Sequence, residues 1–441
     1  MYMKLDPLHG KVKPVFFRYF GTAAGSALVA SVFALIDAMM VGRYHGPSGT
    51  AALAVFNPCW TIIFSLGILA GIGASTFFAS YRGRGDEETA QEYFSAAVIF
   101  GIVLSAVSFA LLNLFTESIF RFFGADDTLL ALAKRYFASI RFVIPLCVFD
   151  NILSSFIRND GDPGLAMKGV VIGGVFNAIG DYLFVFTLDM GIFGAGLATA
   201  IGLGITSLVM ISHFFSKGNT LRLARPRKLH KKLANIIGIG FAAAITDLAM
   251  GIIGVLFNRQ IMRYFGTDEL AVYGVITQVT VFVQCSAYGI GQAAQPILSQ
   301  SYGAKRYERI GECLRYALIT SAVMGAFCLA VTEAFPNLFV RAFMTPTESV
   351  LRIAPGIIRA YSLSYALLPF NIFAPYYYQS LLRPGMSLMS SLLRSILVSS
   401  AAILILPLAA GGSALWLSML ITEAVVAVYN AAMILKLKSG F

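Results

Sequence analysis

Residues 96–115 read AAVIFGIVLSAVSFALLNLF, twenty positions without a charged side chain and without alternation of apolar and polar residues. As an α-helix, a stretch of this length crosses the roughly 30 Å hydrocarbon core of a bilayer. Backbone groups in lipid must bond to one another, so a membrane span is either a helix or a strand of a closed barrel. Barrel strands have about 10 residues and alternate in polarity. The stretch is therefore predicted to be a transmembrane helix.

The whole chain has the composition of a membrane protein. Of its 441 residues, 58% are hydrophobic and 12% are charged, whereas soluble domains carry about 25% charged residues. Apolar stretches long enough to span a bilayer recur from end to end. They lie near residues 15–42, 51–80, 92–119, 130–156, 164–187, 193–215, 235–263, 270–300, 311–335, 350–380, 386–408 and 413–436. We therefore predict an all-α polytopic membrane protein with twelve transmembrane helices.

Basic side chains are distributed unequally between the segments that connect these spans. The net charge is +11, and most Lys and Arg lie before the first span and in alternate connections after it. Because such an excess marks the cytoplasmic side, we expect both termini in the cytoplasm, with residues 1–14 as an N-terminal segment and residues 437–441 as a tail. Topology explains the charge, so we expect a lipid bilayer and no nucleic acid as partner, and a location in the cytoplasmic (inner) membrane.

The longest strongly polar connection is SKGNTLRLARPRKLHKK at 216–232, near the middle of the chain. Clustered Lys and Arg can bind anionic lipid head groups, but the positive-inside bias explains them without a ligand. We interpret residues 216–234 as a basic cytoplasmic connector between an N-lobe at 15–215 and a C-lobe at 235–436.

The two lobes share short motifs. GIG occurs at 71–73 and again at 289–291, and Gly85 and Gly303 follow the two copies at the same spacing. Because six spans separate the copies, the repeats run parallel, related by an axis along the membrane normal. Such repeats are typical of transporters, although glycines also serve close helix packing. The spans are predicted to form two pseudo-symmetric six-helix bundles.

Acidic side chains inside the predicted spans are candidates for function; they are Asp37, Asp150, Asp181, Asp247 and Glu423. Ionisable groups at membrane depth usually face a bundle interior or an aqueous cavity and mark ion or proton routes. Asp150 lies near the cytoplasmic end of its span, within expected reach of water or Arg158. Asp247 and Glu423 lack polar neighbours at helical spacing, so helix packing explains them as well as function does.

Asp37 and Asp181 have the better case for function. Asp181 stands in the stretch NAIGDYLFVF with Asn177 one turn before it, so both project from one face of span five. Asp37 lies on span one, and Tyr136 on span four and Thr199 on span six offer hydroxyls. Carboxylate, amide and hydroxyl oxygens suit a proton relay or a Na⁺ site, because hard cations prefer oxygen ligands. A structural role is the alternative.

Motifs of soluble catalysis are absent from the sequence. There is no GxxxxGK[ST] phosphate loop, no HExxH and no GxSxG in context, and the five cysteines form no CxxC pair. We expect neither an enzyme nor a resident cofactor; the only small ion expected is the coupling ion, H⁺ or Na⁺. The run PYYYQ at 375–379 is interpreted as part of an interfacial tyrosine belt in preference to a drug-stacking site.

Five stretches together resemble the multidrug and toxic compound extrusion (MATE) family: IDAMMVGRYHGPSGTAALAV, GIGASTFFASYRGRGD, RNDGDPGLAMKGVVIGGVFNAIGDYLF, GIFGAGLATAIG and GIGQAAQPILSQSYGAKRYERI. Their order and repeat spacing over about residues 15–435 carry the resemblance, since a single motif such as GAGLATAIG is weakly specific. The resemblance implies two six-helix bundles in a V, opened alternately to either side, that export organic cations in exchange for Na⁺ or H⁺.

The N-lobe pattern is similar to that of the DNA-damage-inducible branch of this family. That similarity implies a cation or proton coupling site at Asp37, Asn177, Asp181, Thr199 and Tyr136, with Na⁺ as a candidate ligand of the first four.

A C-lobe cation site occurs in another branch, with acids on helices seven and ten. Span ten here has no acid and offers Asn371, while span seven carries Asp247. These two residues are candidates for a substrate or ion contact in the C-lobe, and the N-lobe is the expected seat of coupling.

The leading hypothesis is a monomeric secondary antiporter that exports lipophilic, cationic small molecules in exchange for H⁺ or Na⁺ by alternating access. The main alternative is a flippase for a lipid-linked precursor of the same superfamily. A flippase would prefer extra spans and a cationic central cavity, which the sequence does not indicate. A non-transporting scaffold or receptor is a third alternative, opposed by the duplicated lobes and the acids within spans.

Overall fold

The computed structural model of the protein describes residues 6–344 and 346–439, except for the side chains of residues 247, 248 and 250. Throughout these residues the regular secondary structure is helical, without a strand. The prediction of twelve transmembrane helices is confirmed, because 12 described helices are long and apolar enough to cross a membrane. In chain order they are α1 (Val12–His45), α2 (Pro47–Gly83), α3 (Glu87–Leu114), α4 (Asp127–Asn159), α5 (Pro163–Thr187), α6 (Ile192–Phe215), α7 (Leu229–Tyr264), α8 (Thr267–Gly303), α9 (Tyr307–Ala334), α10 (Glu348–Ser380), α11 (Pro384–Ala410) and α12 (Gly412–Lys438).

The connections repeat between the two halves of the chain. A short helix follows α3 at Thr116–Phe122, and another follows α9 at Pro336–Phe343. Both α5 and α11 begin with a proline, Pro163 and Pro384, which suits the first helical position because its missing N–H would have no partner there. These matching features agree with the internal repeat predicted from the sequence.

Both α5 and α11 contain a π-helical segment, at Tyr182–Thr187 and Leu393–Leu397 respectively. A π segment widens the helix by one residue and often lies at a functional site. In α5 it begins directly after Asp181. In α11 it includes Arg394. The irregular turns therefore lie next to Asp181 in α5 and around Arg394 in α11.

The chain divides into two compact units. Unit 1 contains Gly25–Ala244 and residues 6–10, and unit 2 contains Lys11–Ala24 and the described residues from Ile245 onward. The first part of α1 thus belongs to unit 2, and the first part of α7 belongs to unit 1. The lobes predicted from the sequence assign whole helices to one side, and they stay a prediction.

The repeated GIG motif lies where helix backbones touch within each unit. In unit 1, a Cβ atom on Gly73 would overlap the carbonyl group of Ile236 on α7. In unit 2, a Cβ atom on Gly289 would stand 2.8 Å from the Cα of Ala24 on α1, and real Cβ atoms essentially never come closer than 3.0 Å. The glycines therefore allow close helix packing at these two contacts.

The basic connector is bound to unit 1 through its backbone. The side-chain amide of Gln91, in the first turns of α3, donates to the carbonyl of Thr220 at 2.8 Å and accepts from the backbone N–H of Arg222 at 2.8 Å. The buried carboxylate of Asp160 accepts from the Thr220 N–H at 2.9 Å and from Arg82 at 2.9 Å. The connector is therefore held in one path across the ends of α3 and α4.

Candidate functional site

Small residues bring α5 and α6 into close contact in unit 1. A Cβ atom on Gly173 of α5 would overlap the carbonyl oxygen of Gly202 on α6, and one on Gly180 would stand 3.0 Å from the Cβ of Ala198. The hydroxyl of Thr206 bridges the two helices by donating to the Gly169 carbonyl at 3.1 Å. Close approach of this kind is typical of helix pairs in membranes. It places the polar face of α5 directly against α6.

Asn177 and Asp181 lie on that face of α5, as their spacing predicted. The Asn177 side-chain amide donates to the Thr199 hydroxyl on α6 at 3.2 Å and makes a long contact of 3.5 Å with Asp181 Oδ1. Asp181 is 0% exposed. Burial without a basic partner makes an ionised carboxylate costly, so this residue requires a compensating group.

Asp37 on α1 supplies a second carboxyl group beside the first. The side chains of Asp37 and Asp181 are close enough to act on each other electrostatically. One oxygen of each, Asp37 Oδ1 and Asp181 Oδ2, is enclosed and has no hydrogen-bond partner among the described residues. No ion pair within the described part of the chain involves either acid. Two adjacent carboxyl groups of this kind disfavour double ionisation, so they are suited to hold a proton or a cation.

Tyr136 on α4 completes the group. Its side chain is 5% exposed, and its hydroxyl lies near enough to Thr199 and to both acids for them to act on it electrostatically. Its ring packs edge-on against Phe56 at 5.2 Å between centroids. The structure thus brings together the five residues singled out in the N-lobe, which we call the acid pair site: Asp37, Tyr136, Asn177, Asp181 and Thr199.

The oxygens of the acid pair site define what it can bind. Two carboxyl groups, one amide and two hydroxyls are all oxygen donors that suit a hard monovalent cation. A single shared proton satisfies the same acids by joining two carboxyl oxygens. Among the described residues there is no group of three or more His, Cys, Asp or Glu that could hold a metal ion. The arrangement is therefore suited to H⁺ or Na⁺ and lacks the ligand set of a transition-metal site.

Asp150 on α4 has its hydrogen-bond partner outside the acid pair site. It is 8% exposed, so the expectation that it reaches water is wrong. Its Oδ1 accepts from the hydroxyl of Ser207 on α6 at 2.6 Å, and its Oδ2 is enclosed without a hydrogen-bond partner in the described residues. Asp150 therefore ties α4 to α6 in unit 1.

Unit 2 contains a second buried polar cluster. Glu423 on α12 is 0% exposed and forms an ion pair of 2.9 Å with Arg394 on α11. Asn371 on α10 donates to Glu423 Oε2 at 2.7 Å, and Asn430 on α12 donates to Asn371 Oδ1 at 3.0 Å. The cluster, which we call the Arg394 cluster, comprises Asn371, Tyr378, Ser390, Arg394, Glu423 and Asn430. Glu423 lacks polar neighbours at helical spacing, and its partners Asn371 and Arg394 come from α10 and α11.

The remaining predictions for the C-lobe have separate outcomes. Asn371 is part of the Arg394 cluster. Asp247 lies on α7, and its side chain is outside the described residues. Tyr377 and Tyr378 of the PYYYQ run are both 0% exposed, and the Tyr378 hydroxyl donates to the Asn430 carbonyl at 3.0 Å. The interfacial-belt interpretation is therefore wrong for these two tyrosines, which are packed inside unit 2.

Arg394 and Asn430 were missed by the sequence reasoning. A signal was available, because Arg394 and Glu423 are opposite charges inside two consecutive predicted spans, and buried charges are usually paired. Their pairing became visible only when the fold placed α11 beside α12.

Comparison with known proteins places the chain in a family. The family model described as MatE matches residues 23–183 and 242–404. Similar proteins include the multidrug export protein MepA of Staphylococcus saprophyticus, 24% identical over 69% of this chain and 68% of that protein. The probable multidrug resistance protein YoeA of Bacillus subtilis is 25% identical over 78% of this chain and 75% of its own length.

Solved structures share the fold. A multidrug resistance MATE family transporter in an outward-facing conformation superimposes with a TM-score of 0.93 at 22% identity, covering 100% of this chain and 99% of that one. A MOP superfamily transporter from Pyrococcus furiosus gives 0.91 at 22% identity, over 100% and 98% of the two chains. The family model covers most of the sequence in two repeats, and the chain is a multi-pass membrane protein that belongs to the MatE family.

Proposed function

We propose that the protein is a monomeric secondary antiporter of the cytoplasmic membrane that exports lipophilic organic cations in exchange for H⁺ or Na⁺. The observation that carries the proposal is the acid pair site. Asp37 and Asp181 lie close together in unit 1; within the described residues each has an enclosed oxygen without a hydrogen-bond partner, and neither forms an ion pair with a basic residue. Such a pair is stable when a proton or a cation is bound between its members.

Ion exchange follows if the affinity of Asp37 and Asp181 for the ion differs between two conformations of the protein. An ion that binds one access state more tightly shifts the population toward that state. The size of the shift is limited by the difference between its affinities for the two states. Asp37 stands on α1 and Asp181 at the start of the π segment of α5, so a movement of α1 against α5 changes the distance between the two carboxyl groups. Moving one charge through the membrane potential supplies roughly 2.3 kcal/mol per 100 mV, which is enough to bias such a change.

Lipophilic cations are proposed as substrates on two grounds. The acids of unit 1 favour positive charge, and the relatives MepA and YoeA are named for multidrug export or resistance. The site also fits the pattern of the DNA-damage-inducible branch, in which Asp37, Tyr136, Asn177, Asp181 and Thr199 would couple ion entry to export. Asn371 and Asp247 remain proposed contacts of the C-lobe, although Asn371 is engaged with Glu423.

Flippase activity toward a lipid-linked precursor is the alternative, and the charge of unit 2 bears on it. A pyrophosphate group would require uncompensated positive charge. Arg394 is a buried basic residue of unit 2, and its Nε donates a hydrogen bond of 2.9 Å to Glu423. Its charge is thus neutralised within the protein, which favours the cation antiporter over the flippase.

The test uses the purified protein in liposomes and a fluorescent organic cation. A pH gradient and a Na⁺ gradient are imposed separately, and uptake against the substrate gradient is followed. We expect one of the two gradients to drive accumulation. Asp37→Asn and Asp181→Asn should each abolish ion-driven accumulation while leaving binding of the fluorescent cation measurable. If both variants accumulate the cation as the unaltered protein does, the proposal is wrong.

Asp150→Asn is the matched control in this assay. It removes a buried carboxyl group from the same unit, but one that bonds to Ser207 rather than to the acid pair. We expect ion-driven accumulation to persist in this variant. Translocation of a fluorescent lipid head group by the same liposomes, in the absence of organic cation transport, would support the flippase instead.

Both termini are proposed to lie in the cytoplasm. The test replaces the five native cysteines by serine, introduces one cysteine at Lys4 or at Ser439, and labels it with a membrane-impermeant reagent. Labelling should occur in inverted vesicles and not in intact cells.

A further inference from the structure

The Arg394 cluster of unit 2 is a closed set of buried polar groups. Glu423 Oε1 accepts from Arg394 Nε at 2.9 Å, and Glu423 Oε2 accepts from Asn371 at 2.7 Å. Asn371 also donates to the Glu423 carbonyl at 2.8 Å. Both carboxylate oxygens of Glu423 are thus satisfied, unlike the enclosed oxygens of Asp37 and Asp181.

Further polar groups are linked to this ion pair through Asn371. The side-chain oxygen of Asn430 accepts from the Ser390 hydroxyl at 2.8 Å and from the Tyr378 hydroxyl at 3.3 Å. The Asn371 side-chain oxygen accepts from Asn430 at 3.0 Å. Carboxylate, amide and hydroxyl oxygens are therefore gathered on α10, α11 and α12. This is the kind of donor set found in the acid pair site, with a guanidinium group in place of a second acid.

The two clusters occupy corresponding helices of the repeat. The acid pair site takes residues from α4, α5 and α6 as well as α1, and the Arg394 cluster takes residues from α10, α11 and α12. In the fifth helix of the first half the buried charged residue is Asp181, whereas in the fifth helix of the second half it is Arg394. A guanidinium group remains charged under all conditions in proteins, so Arg394 provides a permanent positive charge.

We propose that Arg394 is a built-in counter-cation, which takes the place beside Glu423 that a mobile monovalent cation or proton would otherwise occupy. Unit 2 therefore does not load ions in the unaltered protein. Removal of the guanidinium group leaves the Glu423 carboxylate buried with Asn371 as its remaining side-chain partner, and this converts the cluster into a site for Na⁺ or H⁺. This arrangement confines ion binding during the antiport cycle to the acid pair site, a consequence that rests on the function proposed above.

The inference is tested by ion binding, which is independent of transport. The full chain is purified with Asp37→Asn and Asp181→Asn, so that the acid pair cannot contribute, and Arg394→Gln is added to this background. The thermal unfolding midpoint is measured as a function of Na⁺ concentration at constant ionic strength, and as a function of pH. We expect the unfolding midpoint of the Asp37→Asn, Asp181→Asn parent protein to show no effect of Na⁺ or H⁺ binding at the Arg394 cluster. The Arg394→Gln protein should show a saturable rise with Na⁺ or with acid, on the order of 2 °C or more.

Two companion variants separate charge from packing. Arg394→Lys keeps a fixed cation and should remain unresponsive like the parent. Adding Glu423→Gln to Arg394→Gln removes the carboxylate and should abolish the new response. A folded Arg394→Gln protein that responds to neither Na⁺ nor acid overturns the inference.

Folding failure is also informative here. If Arg394→Gln folds only in high Na⁺ or at acid pH, a mobile cation has replaced the guanidinium group, as proposed. If it fails to fold under every ionic condition while the Arg394→Gln, Glu423→Gln protein folds, no mobile cation can replace Arg394, and the inference is wrong. Neither result depends on whether the acid pair drives export.

Discussion

Gly240→Ala tests the close contact between α2 and α7 in unit 1. Gly240 faces the backbone of Leu69, and an added Cβ atom would stand 2.7 Å from the Leu69 carbonyl carbon and 2.9 Å from its Cα. The Leu69 carbonyl oxygen would be closer still. Ordinary contact of a Cβ atom begins at 3.4 Å, so the helices must separate to accommodate it. Overpacking of this size costs about 1–3 kcal/mol.

Gly238→Ala is the matched control on the same helix. A Cβ atom there meets nothing within 4 Å. Both alanines gain the same intrinsic helix preference, about 1 kcal/mol over glycine, so the difference between the two variants isolates the clash. We expect the Gly240→Ala protein to unfold at a temperature several degrees below that of the Gly238→Ala protein, measured by thermal unfolding in detergent.

Gly73→Ala probes the same contact from the other side, because Gly73 faces Ile236 one turn from Gly240. Once one alanine has parted the helices, the second should cost less, so the double variant should be destabilised by less than the sum of the single changes. If the Gly240→Ala and Gly238→Ala proteins unfold at the same temperature, the backbones of α2 and α7 do not meet as described.

Three further changes test individual contacts. Glu423→Gln should destabilise the protein by about 3–5 kcal/mol, because it leaves the guanidinium of Arg394 buried and unpaired; adding Arg394→Gln should recover much of that loss, as a double-mutant cycle in thermal unfolding will measure. Asp160→Asn removes the carboxylate that binds the connector and Arg82, at a cost of about 1–3 kcal/mol, and limited proteolysis of the connector should become faster; an unchanged cleavage rate would contradict the docking. Asp86→Ala deletes the oxygen that accepts from the N–H of Thr89 at the start of α3, so a loss of about 0.5–2 kcal/mol is expected in the same unfolding assay, whereas no loss would argue against the cap.

The fold was predictable because the bilayer restricts the choice of structure. Twenty apolar residues without alternation exclude a barrel strand, and the regular return of such stretches set the number of helices. The π segments at Tyr182–Thr187 and Leu393–Leu397 could not be predicted from this pattern. Whether a turn forms α-helical or π-helical hydrogen bonds depends on how it packs against the neighbouring helices. The sequence is equally apolar in both cases.

The acid pair site was predictable in part. Asn177 and Asp181 share a face because of their spacing, but the contact of Asp181 with Asp37 depends on how α1 packs against α5. The family resemblance supplied that association in advance. The Arg394 cluster had no such guide, and its residues on α10, α11 and α12 have no common spacing. Opposite charges in consecutive spans were the available signal. They indicate an ion pair but do not identify the other side chains of the cluster.

The burial of the PYYYQ tyrosines shows a limit of composition arguments. Tyrosine near a predicted span end suits the membrane interface, yet Tyr377 and Tyr378 are packed inside unit 2. Tyr378 is held there by a hydrogen bond from its hydroxyl to the backbone carbonyl of Asn430. That partner lies on another helix, far away in the sequence.

Ion release on substrate binding tests the central claim most directly. The purified protein is placed in weakly buffered solution with a pH indicator, and separately with a Na⁺-sensitive probe, and an organic cation that it binds is added. If Asp37 and Asp181 hold the exchangeable ion, the cation should release H⁺ or Na⁺ from the unaltered protein and none from the Asp37→Asn, Asp181→Asn protein. Equal release from both proteins, or substrate binding without release of either ion, would contradict the account.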